Sequence, residues 1–244
     1  MGTVTVITSG KGGVGKSSSS VGISRALASR GHRVLLIDCD AGLRSLDRLT
    51  GIDKNLVYDS ADVIKGRCAP INAIYPCEGI DGLFLMPAPQ SEEEQIGAVA
   101  YKRLTDLVRK FYDHVILDCP AGVGKGFRNV CSAADRALIV CNPDPVCIRN
   151  TYKVHNLLRQ MGIEKQRLII NRYNSQNFFR LRGYDDLDRV IDEASVRLIG
   201  VIPEDYSFIA TLLNNEITCS NEGIEACARI AARLEGEEVP VKIF

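Results

Sequence analysis

The chain carries, at residues 10–17, the sequence Gly10-Lys11-Gly12-Gly13-Val14-Gly15-Lys16-Ser17. This sequence fits the phosphate-binding pattern G-x-x-x-x-G-K-[ST], in which glycines let backbone N–H groups turn toward an anion. An apolar, β-branched run at residues 3–8 precedes it, and a helical pattern with an apolar face follows at residues 17–29. The pattern therefore predicts a strand, a loop and a helix, with phosphate at the helix N-terminus.

Two side chains at the end of this loop have predicted roles. Lys16 supplies a point charge for the β and γ phosphates, and the hydroxyl of Ser17 is a candidate Mg²⁺ ligand. The alternative, a glycine-rich turn that matches by chance, is disfavoured because the strand, the helix and the lysine-serine pair are all present.

Aspartates follow two further strand patterns. Asp38 and Asp40 come after an apolar run at residues 33–37, and Asp118 ends another at residues 115–118. Ligands bind at the carboxyl edge of an open α/β sheet, so we expect these carboxylates to face the phosphate loop. Asp118 would hold Mg²⁺ through a water opposite Ser17, and Asp40 would orient the attacking water, with Asp38 as a second catalytic candidate. Helix capping and loop solvation are the alternatives for Asp38 and Asp40.

Composition limits the possible functions. The 244 residues carry 30 basic and 30 acidic side chains, so no global field attracts nucleic acid or anionic lipid. Nine cysteines are scattered without a C-x-x-C pair, which indicates reduced thiols in a cytosolic protein. No apolar stretch is long enough to span a bilayer. We predict a cytoplasmic protein with one domain over residues 1–244, including a short C-terminal tail at 235–244.

Strand and helix patterns alternate along the chain. Apolar runs predict strands at residues 83–86, 137–141, 168–170 and 196–201, and helical spacing predicts helices at 60–65, 101–112, 146–161 and 224–234. Residues 68–80 are predicted to be loop and short strand, and Glu92 to Glu94 a solvated helix start. The alternation predicts an α/β fold with a mostly parallel twisted sheet, helices on both faces and right-handed crossovers.

Residues 9–17 resemble the deviant P-loop of the MinD/ParA ATPases, in which the lysine at the position of Lys11 reaches the partner's nucleotide across a dimer. Residues 38–47 resemble switch I of the MinD group, residues 119–122 its switch II, and residues 87–90 its "PA-x-Q" turn. The resemblance covers roughly residues 3–240. It implies Mg²⁺-ATP bound between two subunits, with Lys11 catalytic in trans, and slow hydrolysis as a dimerisation switch in cell division site selection (septum placement).

The resemblance also implies the nucleotide contacts. The phosphate side comprises Gly10, Lys11, Gly12, Gly13, Val14, Gly15, Lys16, Ser17 and Ser18. The adenine side comprises Asn171, Arg172, Pro203, Glu204 and Asp205.

The implied partners are a second copy of the chain and MinC- and MinE-like regulators. Three departures from the family pattern affect this expectation. Ser45 stands where the family has an asparagine in switch I, and Gly124 stands where it has an acidic residue. The face that starts at Cys147 lacks the acidic residues usual in the family. The final residues 241–244 are too few for the family's C-terminal amphipathic helix, because isolated helices need about a dozen residues. We therefore expect weak or absent membrane association, with peripheral attachment to the inner face of the cell membrane as the alternative.

Three other functions stay open. A ParA-type partition ATPase would bind DNA without sequence specificity through a basic patch, for which Arg180, Arg182 and Arg189 are candidates. An iron-sulfur reductase on the same scaffold would need paired cysteines at a dimer seam, and Cys119 has no later partner in switch II. The third is an ATP-bound scaffold with little hydrolysis.

Overall fold

The computed structural model describes residues 1–52, 56–91, 96–180, 184, 186–214 and 221–244. Within them, eight strands form one sheet. The strands are β1 (Thr3–Thr8), β2 (Val34–Asp38), β3 (Tyr75–Pro76), β4 (Leu83–Met86), β5 (His114–Asp118), β6 (Arg136–Cys141), β7 (Gln166–Tyr173) and β8 (Leu198–Pro203).

The strand order is β3-β4-β2-β5-β1-β6-β7-β8. Every neighbouring pair is parallel except β3 with β4, so the prediction of a mostly parallel sheet is confirmed. In the register, Asp118 lies beside Asp38 on one side and Ile7 on the other. The carboxyl end of β1, where the phosphate loop begins, therefore lies at the same sheet edge as these two aspartates.

Ten α-helices and a 3₁₀ turn (Pro70–Ala73) complete the described part of the chain. The helices are α1 (Lys16–Ser29), α2 (Ser45–Leu49), α3 (Ser60–Ile64), α4 (Ala98–Val108), α5 (Lys125–Cys131), α6 (Pro145–Gln160), α7 (Ser175–Arg180), α8 (Leu187–Ala194), α9 (Tyr206–Leu213) and α10 (Glu222–Leu234). Helices α1, α2, α9 and α10 pack on one another, while α4 packs on α5 and α6 on α8. These separate groups agree with the prediction that helices cover both faces.

The helix predicted at 101–112 is wrong in its bounds, because α4 spans Ala98–Val108. Leu107 is 44% exposed and Phe111 64% exposed, although helical spacing assigned both to the apolar face. Phe111 lies in a turn beyond the helix, where its N–H bonds to the carbonyl of Val108. The sequence patterns also missed α2, α5, α7, α8 and α9, which have five to eight residues each and so give little periodic signal.

Seven of the eight described cysteines are buried, and all eight are free thiols; Cys219 lies outside the described residues. Residues 235–244 contain no helix or strand. They nevertheless contact the body, since the Val239 carbonyl accepts a hydrogen bond of 2.7 Å from Arg233 and Val241 and Phe244 pack against the core. No helix in the described ranges combines the length and apolarity needed to cross a membrane.

Candidate functional site

The loop between β1 and α1 has the backbone that its glycines predict. Gly15 has φ 92°, and a Cβ there would lie 2.2 Å from the amide nitrogen of Asn171. Gly10 lies so close to α6 that a Cβ would come within 2.7 Å of Asn150. Larger residues at these two positions would therefore deform the loop.

The N-terminus of α1 is open to an anion. No side chain caps this helix, whose N-cap is Gly15 in the left-handed conformation, and its first turn holds no acidic residue. By contrast, Asp59, Asp144, Asp186, Asp205 and Asn221 each accept a hydrogen bond from the first turn of the helix they precede. The first amides of α1 and its positive dipole end are thus available to phosphate oxygens.

Lys16, Ser17 and Asp118 converge at this end of α1. Asp118 is buried at the end of β5 and accepts hydrogen bonds from Ser17 and, at 2.8 Å, from Ser20 Oγ. Burial raises the pKa of Asp118 to about 6, while the two serines and the charge of Lys16 act to lower it. The predicted metal residues Ser17 and Asp118 are therefore adjacent, and their oxygens suit the hard cation Mg²⁺. Ser20 was missed, although it lies one helical turn beyond Ser17.

Asp38 and Asp40 differ in environment. Asp38 is fully buried and accepts hydrogen bonds from the N–H groups of Asp40 at 2.9 Å and Leu46 at 3.3 Å. Burial, with a further contribution from Asp118, raises the pKa of Asp38 to about 8. Asp40 is half-buried and therefore in contact with solvent. The burial of the two carboxyls favours Asp40 as the residue that meets a water and Asp38 as the one that anchors the following loop.

Ser45 contacts the predicted metal ligand within the same chain. Its Oγ donates a hydrogen bond of 3.2 Å to Ser17 Oγ. From the sequence, the only expectation for Ser45 was a position near the nucleotide across a dimer, so this contact was missed. It joins the start of α2 to the start of α1.

The expected adenine contacts line a cavity of about 160 Å³. Asn171, Arg172, Pro203, Glu204 and Asp205 contribute to it, together with Ser18, Tyr206, Phe208 and Ile209. The last three were missed, although Tyr206 directly follows Asp205 in sequence and is 85% exposed. One of the expected residues is already engaged, since the side chain of Asp205 caps α9. Arg172 has a left-handed backbone conformation, with φ 55°.

Asn171 connects this cavity to the phosphate loop. Its Nδ2 donates a hydrogen bond of 2.7 Å to the carbonyl of Val14. A carbonyl can only accept, which identifies the amide nitrogen as the group on Val14 and leaves Oδ1 as an acceptor. An acceptor at this position suits the exocyclic amine of adenine.

Lys11 is exposed at the start of the loop. It lies near Cys147, the third residue of α6. The pKa of the Cys147 thiol is lowered, chiefly by the hydrogen bond from Cys141, and the charge of Lys11 also acts to lower it. A separate cavity of about 230 Å³ is lined by Asp40 and Ala121 among others, and a Cβ on Gly12, the residue after Lys11, would meet Ala121 Cβ at 3.8 Å. The structure thus places Lys11 where a second molecule can reach it.

The residues considered for other functions give little support to those functions. Of the arginines considered for DNA binding, Arg189 is on α8, whereas Arg182 and the side chain of Arg180 lie outside the described part. The helix start predicted at Glu92 to Glu94 also lies outside it. Cys119 is buried beside Cys39 and Cys131, away from the surface that a dimer seam would need. Gly124 is the N-cap of α5, and a Cβ there would meet nothing within 4 Å among the described residues beyond its chain neighbours.

Comparisons with known proteins agree with this geometry. The family model of the CobQ/CobB/MinD/ParA nucleotide binding domain matches residues 5–218. The septum site-determining protein MinD of Bacillus subtilis is 36% identical over all of this chain and 93% of its own length. The MinD of Escherichia coli is 32% identical over all of this chain and 95% of its own length.

Solved structures show the same relationship. A MinC:MinD cell division protein complex from Aquifex aeolicus contains a chain 34% identical, with a TM-score of 0.88 and 99% of both chains covered. The MinD of Pyrococcus horikoshii, solved with Mg-ADP, is 26% identical with a TM-score of 0.86 and 97% of both chains covered.

Proposed function

The chain belongs to the CobQ/CobB/MinD/ParA nucleotide-binding family as a MinD-like ATPase of cell division site selection, and from this premise we propose that it binds Mg²⁺-ATP between two subunits. Slow hydrolysis of that ATP would then serve as a dimerisation switch. The observation that carries the proposal is the uncapped N-terminus of α1 beside Lys16, Ser17 and Asp118. We also propose that residues 1–244 act as one ATPase domain.

The residues of the loop divide the work of holding phosphate. The amides of residues 10–18 and the ammonium of Lys16 bind the phosphate oxygens. Ser17 would hold Mg²⁺ directly and Asp118 would hold it through a water. Bound Mg²⁺ supplies positive charge that balances the phosphate oxygens during transfer. Ser45 and Ser20 keep Ser17 and Asp118 in place through their hydrogen bonds.

Asp40 orients the attacking water in this proposal. It is the half-buried carboxylate of the pair, and its backbone N–H is held by the buried Asp38. The N–H of Leu46 is held by the same carboxyl group, so Asp38 fixes both ends of the loop from Asp40 to Leu46. Asp38 would thus position Asp40 rather than contact the water itself.

A MinC-like regulator is the partner that the complex from Aquifex aeolicus supports for this family. On α6, Cys147 and Ile148 are buried whereas Arg149 and Lys153 are exposed four residues apart, on one helix face. This face is basic, so we propose that a regulator docking there presents acidic residues. We propose a cytoplasmic protein with no sequence-specific nucleic-acid binding and weak or absent autonomous attachment to membranes.

The test measures ATP binding by calorimetry and phosphate release in Lys16→Ala and Asp40→Ala. Lys16→Ala should lose ATP binding because the phosphate charge is no longer balanced. Asp40→Ala should keep binding but lose at least about tenfold in turnover, since it removes only the positioning of the water. Lys110→Ala, an exposed lysine beyond α4, is the control and should match the wild type. Unchanged ATP affinity in Lys16→Ala would overturn the assignment of the loop.

A further inference from the structure

Two of the three histidines in the chain meet a glutamate at the sheet edge opposite to the phosphate loop. His32 lies two residues before β2, His114 is the first residue of β5, and β2 and β5 are parallel neighbours. Glu235 is the C-cap of α10. Three segments that are distant in sequence therefore converge at the amino ends of the strands.

The ligand atoms of these side chains face one another. Glu235 Oε1 contacts His32 Nε2 and lies 3.9 Å from His114 Nε2. The two imidazole rings are 5.1 Å apart and perpendicular. One ligand atom from each of the three residues lies within 4.8 Å of the others. Small side-chain rotations would bring all three atoms to the roughly 2 Å bond lengths of a metal ion.

Neighbouring groups hold this arrangement in place. Arg30 Nε bonds the other carboxylate oxygen of Glu235, Oε2, and so leaves Oε1 directed at the histidines. Asp113 Oδ2 lies 3.9 Å from His32 Nδ1 and accepts a hydrogen bond from Arg33 N at 2.8 Å. Metal-binding histidines in proteins commonly have a carboxylate near the ring nitrogen that does not bind the metal, and metal-binding carboxylates accept hydrogen bonds from neighbouring groups. Asp113 and Arg30 are placed to make these contacts to His32 and Glu235.

His114 is the buried member of this cluster. The residue is 9% exposed, and its Nδ1 has no hydrogen-bond partner in the described part of the chain. Its Nε2 lies 3.9 Å from Glu235 Oε1, beyond hydrogen-bond distance. With the ring proton on Nδ1, the lone pair of Nε2 is the group that His114 presents to Glu235 and could donate to a metal ion.

We propose that His32, His114 and Glu235 bind a divalent transition-metal ion, with Zn²⁺ as the occupant. Two imidazole nitrogens and one carboxylate oxygen form a common three-residue set for Zn²⁺, and the half-exposed His32 leaves solvent access for a water as the fourth ligand. Mg²⁺ prefers oxygen ligands and would not compete here. The ion would tie the end of α10, and with it the start of the C-terminal tail, to the starts of β2 and β5.

The test is calorimetric titration of the full chain with ZnCl₂ after removal of metals, in the absence of nucleotide and Mg²⁺. The wild type should bind one Zn²⁺ per chain at this site. His32→Ala and Glu235→Gln should weaken that binding at least about tenfold, since even outer-contact mutations cost 10–100-fold. His155→Ala is the matched control, because the third histidine lies on α6 with its Nδ1 against Gln166, and it should bind Zn²⁺ as the wild type does.

Two further measurements separate this site from other ligands and from loss of folding. Co²⁺ in place of Zn²⁺ should give visible d–d bands without strong thiolate charge-transfer absorption. The far-UV circular dichroism spectrum of His32→Ala should match that of the wild type, which shows that the variant is folded. Equal Zn²⁺ affinity in the wild type and His32→Ala, or thiolate absorption with Co²⁺, would refute the proposal. Because the titration contains no nucleotide, failure of the ATPase proposal would leave its outcome unchanged.

Discussion

Asp38 shows how one buried carboxyl can link pH to stability. Its pKa in the folded chain is raised to about 8, chiefly by burial, whereas the ordinary value is 3.8. Between these values the folded chain retains a proton that the unfolded chain releases. The contribution of Asp38 to stability is therefore complete below about pH 4 and is lost as pH rises through 8.

We predict that Asp38→Asn removes this pH dependence from the nucleotide-free protein. Asparagine cannot ionise, so the variant lacks the loss of stability that the wild type shows as pH rises. From pH 6 to 8, the free energy of unfolding of the variant minus that of the wild type should increase by about 1 kcal/mol per pH unit. The variant also loses one oxygen that accepts a hydrogen bond from a backbone N–H. This loss changes the free energy of unfolding by the same amount at each pH and so does not change its slope against pH. Urea denaturation at pH 6, 7 and 8 measures the difference. Asp106→Asn, at a half-exposed position paired with Lys102, is the control, and its free energy of unfolding should change with pH as that of the wild type does. The same pH dependence in Asp38→Asn and the wild type would contradict the prediction.

At the scale of elements, α1, α9 and α10 meet at two glycines. A Cβ on Gly22 of α1 would lie 2.6 Å from Cys227 Sγ, and one on Gly223 of α10 would lie 2.5 Å from Phe208 Cγ. Phe208 belongs to α9 and lines the cavity that we assign to adenine. Close approach of these helices therefore determines the shape of the nucleotide site.

We predict that Gly223→Ala destabilises the protein by about 1–3 kcal/mol, as overpacking of a core does, although alanine is the better helix former. The displaced Phe208 ring should also weaken ATP binding. Urea denaturation and calorimetry give the two readouts. Gly97→Ala, where a Cβ would meet nothing within 4 Å in the described part of the chain, should change stability by less than about 1 kcal/mol and leave ATP binding intact. A stability gain in Gly223→Ala would show that the helices can separate freely.

At the scale of the whole molecule, the exposed Lys11 is the residue that, in the proposed function, connects nucleotide binding to assembly. In the proposed site, Lys16 and the first amides of α1 already match phosphate within one chain. Lys11 lies beside the start of α6, and a Cβ on the next residue, Gly12, would meet Ala121, which lines a cavity together with Asp40. A second copy placed on this face would cover the phosphate site.

We predict that the wild type is monomeric without nucleotide and dimeric with Mg²⁺-ATP, and that Lys11→Ala stays monomeric while still binding ATP. The reason is that the proposal uses Lys11 across the interface and not within its own chain. Analytical ultracentrifugation with and without ATP measures the assembly, and Lys110→Ala serves again as the exposed-lysine control. An identical dimer in the wild type and Lys11→Ala, with or without ATP, would remove the case for a nucleotide switch.

The sequence by itself determined the central strand, the phosphate loop and the strand-end aspartates of this protein. These features depend on short-range pattern: β-branched runs, glycines at fixed spacing and a carboxylate directly after a strand. It also determined the alternation that produces a parallel sheet. A local pattern suffices for each because the residues involved are neighbours in the chain.

Only the tertiary structure decided which side chains meet. It buried Asp38 and left Asp40 half-exposed, joined Ser45 to Ser17, and brought Tyr206 and Phe208 to the cavity of Asn171. It also left Phe111 exposed and gathered His32, His114 and Glu235. The physical reason is that burial and contact depend on the register of the sheet and the packing of helices far apart in sequence, which residue spacing along one element does not encode.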